Sequence, residues 1–200
     1  RASRPASAGG LAQTLGHTMT LLELLAEVRR PFAQLLSTAI AGNAVFAEPA
    51  LRTENGELAV DGLWNLPIRP DFIPRNGDDK SGMVDSKSRL DFEPFVVSYG
   101  ACKVELAPFT WDWLSLTVDG LREDCYEELF RSWFLRWFDP EDTNEIGNDG
   151  LAGVVHYMSE PQRVGDKLHL TLDLGSAPPE ALEQLLELLA RQGAVAASVA

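Results

Sequence analysis

The sequence predicts an α+β protein, on two observations. In residues 93–200 the hydrophobic period switches between the strand and helix values in the order strand, helix, strand, strand, helix, strand. Two stretches also match: LSLTVDG at 114–120 and LHLTLDLG at 168–175 share L-x-L-T-[VL]-D. Each leads into an amphipathic helix, a glycine and a strand, at Gly153-Val154-Val155 and Gly193-Ala194-Val195. Two such halves make up a ferredoxin-like (βαββαβ) antiparallel sheet with two helices on one face, and residues 93–200 are expected to form one.

The elements follow in chain order. Residues 1–18 carry Arg1 and Arg4, no acid and many small residues, and read as a disordered leader or appended segment outside the fold. In residues 20–42, Leu21, Leu24, Leu25, Val28, Leu35, Leu36 and Ile40 recur at helical spacing, with Pro31 expected to kink or break the helix near Arg30. Asn55-Gly56 lies between short apolar runs and predicts a hairpin. The helix and hairpin make a unit, 19–68, that packs on the main domain. Residues 69–92 hold Pro70, Pro74, Gly77 and Gly82 among charges and read as an irregular loop. Two strands are expected to meet near Gly100. Further strands are expected over 111–118, 151–158, 167–174 and 194–199, and helices over 124–138 and 178–192.

In the matched strands Leu114, Leu116 and Val118 alternate with Ser115 and Thr117, and Leu168, Leu170 and Leu172 with His169, Thr171 and Asp173. Each strand is therefore apolar on one side. The helices should cover the leucine face. The other face is wet or a recognition surface.

FRSWFLRWF, at 130–138, puts five aromatic rings into nine residues. On a helix, Tyr126, Leu129, Phe130, Trp133, Phe134 and Trp137 share one arc, which is a core stripe rather than a ligand box. Asp124 and Glu127 have capping-box spacing, and Glu127 and Arg131 are an i,i+4 pair. Leu135 and Phe138 lie toward the polar edge, where the helix end could meet another segment or a partner. The loop after it holds Asp139, Glu141, Asp142, Glu145 and Asp149, but no register supplies the ligands and glycine of a calcium loop.

Composition narrows the function. The chain has 45% hydrophobic and 24% charged residues and a formal net charge of -13. A surface of that sign repels phosphate backbones and anionic headgroups, so neither nucleic acid nor a membrane is an expected partner, and a basic protein is. No apolar run reaches the length of a membrane span. Cys102 and Cys125 lack metal-site spacing and suit a reduced, cytoplasmic protein. No nucleophile elbow, zincin helix, P-loop or dinucleotide fingerprint occurs, and no cofactor is expected.

Residues 119–149 hold ten acids against three arginines, beside Leu135 and Phe138. The expected function is non-catalytic binding of a basic protein, with Asp139, Glu141, Asp142 and Glu145 steering the encounter and Phe138 and Leu135 anchoring it. An acidic α+β chain with tryptophans and no catalytic motif is of the general type of bacterial immunity or adaptor proteins. The alternative is a metal protein or enzyme on the polar sheet face. There His156 and His169 would sit opposite each other if residues 160–167 formed the turn, with Asp173 near.

Overall fold

The computed structural model describes residues 12–14, 17–75, 82–122 and 125–200. Within the segment expected to be a leader, β1 (Ala12–Thr14) and β2 (His17–Met19) pair antiparallel. Helix α1 (Leu21–Ile40) opens on a capping box that the sequence reading passed over. The Thr20 hydroxyl accepts from the Glu23 N–H at 3.3 Å, and the Glu23 carboxylate accepts from the Thr20 N–H at 2.7 Å. The expected break at Pro31 does not occur. An interior proline costs about 3 kcal/mol, whereas each large side chain buried along the stripe Leu24, Leu25, Val28, Phe32 and Leu36 contributes roughly 1.5–3 kcal/mol, so the stripe wins.

The hairpin expected around Asn55-Gly56 forms only its turn and one bridge, Arg52 to Leu58. Its flanks pair elsewhere: β3 (Val45–Ala47) with β6 (Phe72–Pro74), and β4 (Val60–Asp61) with β5 (Leu66–Pro67). Residues 69–92 are therefore not simply a loop. They include β6 and carry the buried side chains of Arg69 and Asp71, while Gly77 lies outside the described residues.

The main sheet has seven strands in mixed orientation. Along the chain they are β7 (Phe95–Tyr99), β8 (Cys102–Leu106), β9 (Leu114–Asp119), β10 (Tyr157–Met158), β11 (Gln162–Val164), β12 (Lys167–Asp173) and β13 (Ala196–Val199). The order across the sheet is β10-β12-β9-β13-β8-β7, with β11 beside β10 on β12; β13 runs parallel to β8 and the other pairs are antiparallel. Helices α2 (Tyr126–Phe138) and α3 (Pro179–Arg191) complete a mixed α+β fold with three helices among the described residues. The leucine alternation is realised, since Leu114, Leu116, Val118, Leu168, Leu170 and Leu172 are buried in the same core as Phe130, Trp133 and Phe134 of α2 and Leu182, Leu185 and Leu186 of α3. The buried indole N–H groups are satisfied: Trp111 donates to the Gly175 carbonyl at 3.0 Å and Trp133 to that of Ala181 at 2.9 Å. No described helix is long and apolar enough to cross a membrane.

Three local expectations change. Asp124, the expected cap of α2, lies outside the described residues, and Cys125 at the N-cap makes no side-chain capping bond, its thiol donating instead to the Arg122 carbonyl at 3.4 Å. The strand expected over 151–158 shrinks to Tyr157–Met158, because the N–H groups before it are drawn to other acceptors. Ala152 donates to the Glu48 carboxylate at 2.7 Å, Gly153 and Val154 to the Ser176 hydroxyl at 2.8 and 3.1 Å, and Val155 to the Trp137 carbonyl at 2.9 Å. Last, Val164 pairs with Lys167, so the hairpin turns on Gly165-Asp166 rather than over 160–167. Gln162 then faces His169, whereas Met158 faces Leu172, an offset that marks a one-residue bulge at 159–161. There the Ser159 hydroxyl accepts from the Thr171 N–H at 2.8 Å.

Candidate functional site

Four segments far apart in sequence meet around one imidazole. Glu48 follows β3, Asp71 precedes β6, His156 precedes β10 and Asp173 ends β12; all four side chains are buried, His156 at 0% exposure. The His156 Nε2–H donates to Glu48 Oε1 at 2.7 Å. On the other side of the ring, Nδ1 lies 2.9 Å from Asp71 Oδ1 and 3.9 Å from Asp173 Oδ2. The Asp71 contact is out of line for a hydrogen bond, and Nδ1 has no hydrogen-bond partner. Asp71, His156 and Asp173 each offer a donor atom within 4.8 Å of the others, which is the spacing of a metal-ligand set.

Local structure explains the convergence. Glu48 has a left-handed backbone, φ 44, fixed by its N–H to the Asp71 carbonyl at 2.8 Å. Asp71 accepts from the Val84 N–H through its second oxygen, and Asp112 accepts from the Ser86 N–H at 3.1 Å, so a strap of residues 82–88 is tied down by two carboxylates. Gly175, with φ 50, must be glycine on two counts: a Cβ would be strained there and would collide with the His156 ring. The ring packs edge-on to Phe32 of α1 at 6.4 Å.

Protonation follows from these neighbours. Burial disfavours the imidazolium, but the close carboxylates of Asp71 and Glu48 and the charge of Asp173 outweigh it and raise the His156 pKa to about 10. Burial raises the Asp173 carboxyl to about 6, against the opposing pull of His156 and the Gly175 N–H. Burial also works against ionised Glu48, yet the bonds from His156, Ser176 and Ala152 hold it below the usual carboxylate range.

Arg69 links this centre to the surface. Its guanidinium donates to the carbonyls of Phe138 (2.8 Å), Glu48 and Asp139, pairs with Asp142 at 2.7 Å and lies 4.6 Å from the centre of the Phe138 ring. Outside it runs a groove of about 380 Å³ whose lining includes Phe46, Glu48, Arg69, Arg75, Asp142 and Ile146. Phe46 and Ile146 are exposed there, at 52% and 60%.

The residues expected to bind a partner divide. Phe138 cannot be a surface anchor: it is fully buried, 5.3 Å from the Phe134 ring and under Arg69. Leu135 is half-buried and packs against the core. Asp139, the left-handed cap of α2, is buried and accepts from the Thr143 hydroxyl and the Asn144 N–H, both at 2.8 Å, and Asp142 pairs with Arg69 and Arg52. Glu141 and Glu145 stay exposed. His169 does not face His156; it is exposed and bonds the Thr117 hydroxyl at 3.0 Å. Asp173 is not on the wet face but buried beside His156.

Glu48, Arg69, Asp71 and Ser176 went unread because each lies in an irregular stretch and meets its partners across the fold. One signal was legible: Gly165-Asp166 is a two-residue hairpin loop, and setting the turn there removes the His156–His169 pairing.

No protein family, curated protein or solved structure matches the chain.

Proposed function

We propose that the protein is a non-catalytic acidic binding domain that takes a basic protein segment, of the kind an immunity or adaptor protein neutralises. The observation that carries this reading is the groove beside the acidic loop. Two exposed apolar side chains, Phe46 and Ile146, line it, and the exposed carboxylates of Glu141 and Glu145 lie on the loop that carries Ile146. An apolar anchor with carboxylates on the adjoining loop supplies lifetime from the first and encounter rate from the second, with Arg75 4.6 Å over the Phe46 ring to be displaced by the occupant. The anchor is therefore Phe46 with Ile146, in place of Phe138. The net charge of -13 selects a basic occupant, one that sets an apolar side chain between the two. As the finer reading of the fold, the succession β9-α2-β10/β11-β12-α3-β13, with strands in the spatial order β10/β11-β12-β9-β13, supports a ferredoxin-like core extended by β8 and β7.

The test is a cross-linking capture from the native host, run in parallel with wild type and Ile146→Asp, followed by association kinetics on what is captured. A basic protein held by wild type and lost with I146D is expected, with association slowed about 10-fold by moderate salt and by Glu141→Gln/Glu145→Gln. Capture indifferent to I146D, or association indifferent to salt and to the two glutamates, overturns the reading.

A further inference from the structure

The centre around His156 has more negative charge than its neighbours balance. Three carboxylates, those of Glu48, Asp71 and Asp173, surround the one imidazole, and buried charge without a countercharge is costly. The nearby cations are engaged elsewhere. Arg69 donates to carbonyls and pairs with Asp142, and Arg29 donates to the carbonyls of Ser176 and Ala177.

The geometry points to a divalent transition-metal site formed by His156 Nδ1 and one carboxylate oxygen each from Asp71 and Asp173. Two independent features favour an ion there. The ring is held by Nε2–H donation to Glu48 at 2.7 Å, which is the carboxylate support that fixes a metal-binding histidine and leaves the other nitrogen to take the ion, its proton being released as the metal binds. That other nitrogen is completely buried and has no hydrogen-bond partner.

The distances suit the ion. Ligands about 2.0–2.1 Å from zinc lie roughly 3.0–3.5 Å from one another. The 2.9 Å from Nδ1 to Asp71 Oδ1 is already close to that, and the 3.9 Å to Asp173 Oδ2 would have to shorten by a small turn of a carboxylate whose Oδ1 accepts from the Gly175 N–H at 2.8 Å. Asp71 meets Val84 through its other oxygen, so Oδ1 remains for the ion. Two carboxylates cancel the charge of a dication, and one imidazole among them favours zinc, iron(II) or manganese over calcium and magnesium, which take oxygen ligands.

The experiment uses the full chain, stripped with a chelator and titrated with Zn²⁺ by calorimetry and with Co²⁺ by visible absorption. One equivalent of each ion should bind, and Co²⁺ should develop a d–d band that saturates at that stoichiometry. Asp173→Asn, checked for native circular dichroism, should weaken Zn²⁺ at least ~10-fold, the low end of what disturbing a metal site costs, and Glu141→Gln/Glu145→Gln should leave it unchanged. In wild type, needing no variant, Zn²⁺ should shift the ring resonances of His156 and leave those of His169 in place. Absence of uptake by wild type, uptake undiminished in D173N, loss of uptake in the surface double variant, or a shift at His169 instead of His156 would each overturn the site.

Discussion

Arg69 shows how a single side chain can hold segments that no strand ladder connects. Its fork reaches the carbonyls of the last residue and the cap of α2, Phe138 and Asp139, and another after β3, at Glu48, with Asp142 as counterion. Lysine keeps the charge but offers one donor centre in place of three nitrogens in a plane. Arg69→Lys should therefore destabilise by roughly 2–4 kcal/mol, since carbonyls left unsatisfied in the interior each cost about 1–3 kcal/mol. A urea midpoint unchanged from wild type would show that water replaces the lost donors. Asp139 gives a pH test on the same junction. Burial raises its carboxyl, but the bonds from Asn144 and Thr143 and the charge of Arg69 prevail and hold it below its ordinary value. A depressed carboxyl contributes stability above its unfolded pKa of about 3.9 and loses it as pH falls through the folded value. Acid unfolding of Asp139→Asn, compared with wild type, should thus show a stability deficit at pH 7 that narrows below about pH 4. A deficit constant across that range would assign the effect to the lost hydrogen-bond geometry and not to charge.

At the scale of elements, α1 is where local chemistry is easiest to isolate. Its capping box satisfies N–H groups that the first turn leaves without partners, and Thr20 is exposed. Thr20→Ala should cost about 1 kcal/mol, read as a fall in melting temperature, with the helix retained. A larger loss would mean that Thr20 also holds β2 to the helix. The sequence was most legible where an element carries its own period: the leucines of β9 and β12, the aromatic arc of α2 and the stripe of α1 face the core, the exception being Leu35, which is exposed. It was least legible where an N–H has a choice of acceptor. Residues 151–156 are apolar enough for a strand, yet Glu48 and Ser176 take their donors, and no local pattern reveals acceptors brought from more than twenty residues away. The candidate site was half visible for the same reason. His156 and Asp173 stand out by type, but Asp71 was hidden in a stretch that composition alone reads as loop.

The whole molecule carries its charge of -13 on a core that places most acids outside. Self-repulsion should weaken the folded state at low ionic strength, so the melting temperature should rise as sodium chloride goes from about 10 to about 150 mM, where the Debye length falls from roughly 30 to 8 Å. A fall instead would mean that attractive pairs such as Arg69 with Asp142 outweigh the net repulsion. The bulge at 159–161 has a consequence of another kind, for the lengths of chain this protein tolerates. The bulge absorbs one surplus residue and so keeps Tyr157 opposite Asp173; if the register of Gln162 and His169 ran on unbroken through all three residues, Met158 would face Asp173. Because strand side chains alternate, every residue before the bulge would turn over, carrying His156 out of the interior and Tyr157 into it. Deleting one of these three residues removes the surplus and leaves Met158 opposite Leu172, so soluble yield should be kept, whereas adding a residue there should turn the strand over and cut it; an addition at the exposed Asn55-Gly56 turn should change little. The history of this fold, read through its insertions and deletions, would then show a spacing between residues 156 and 173 that shortens by one residue but does not lengthen.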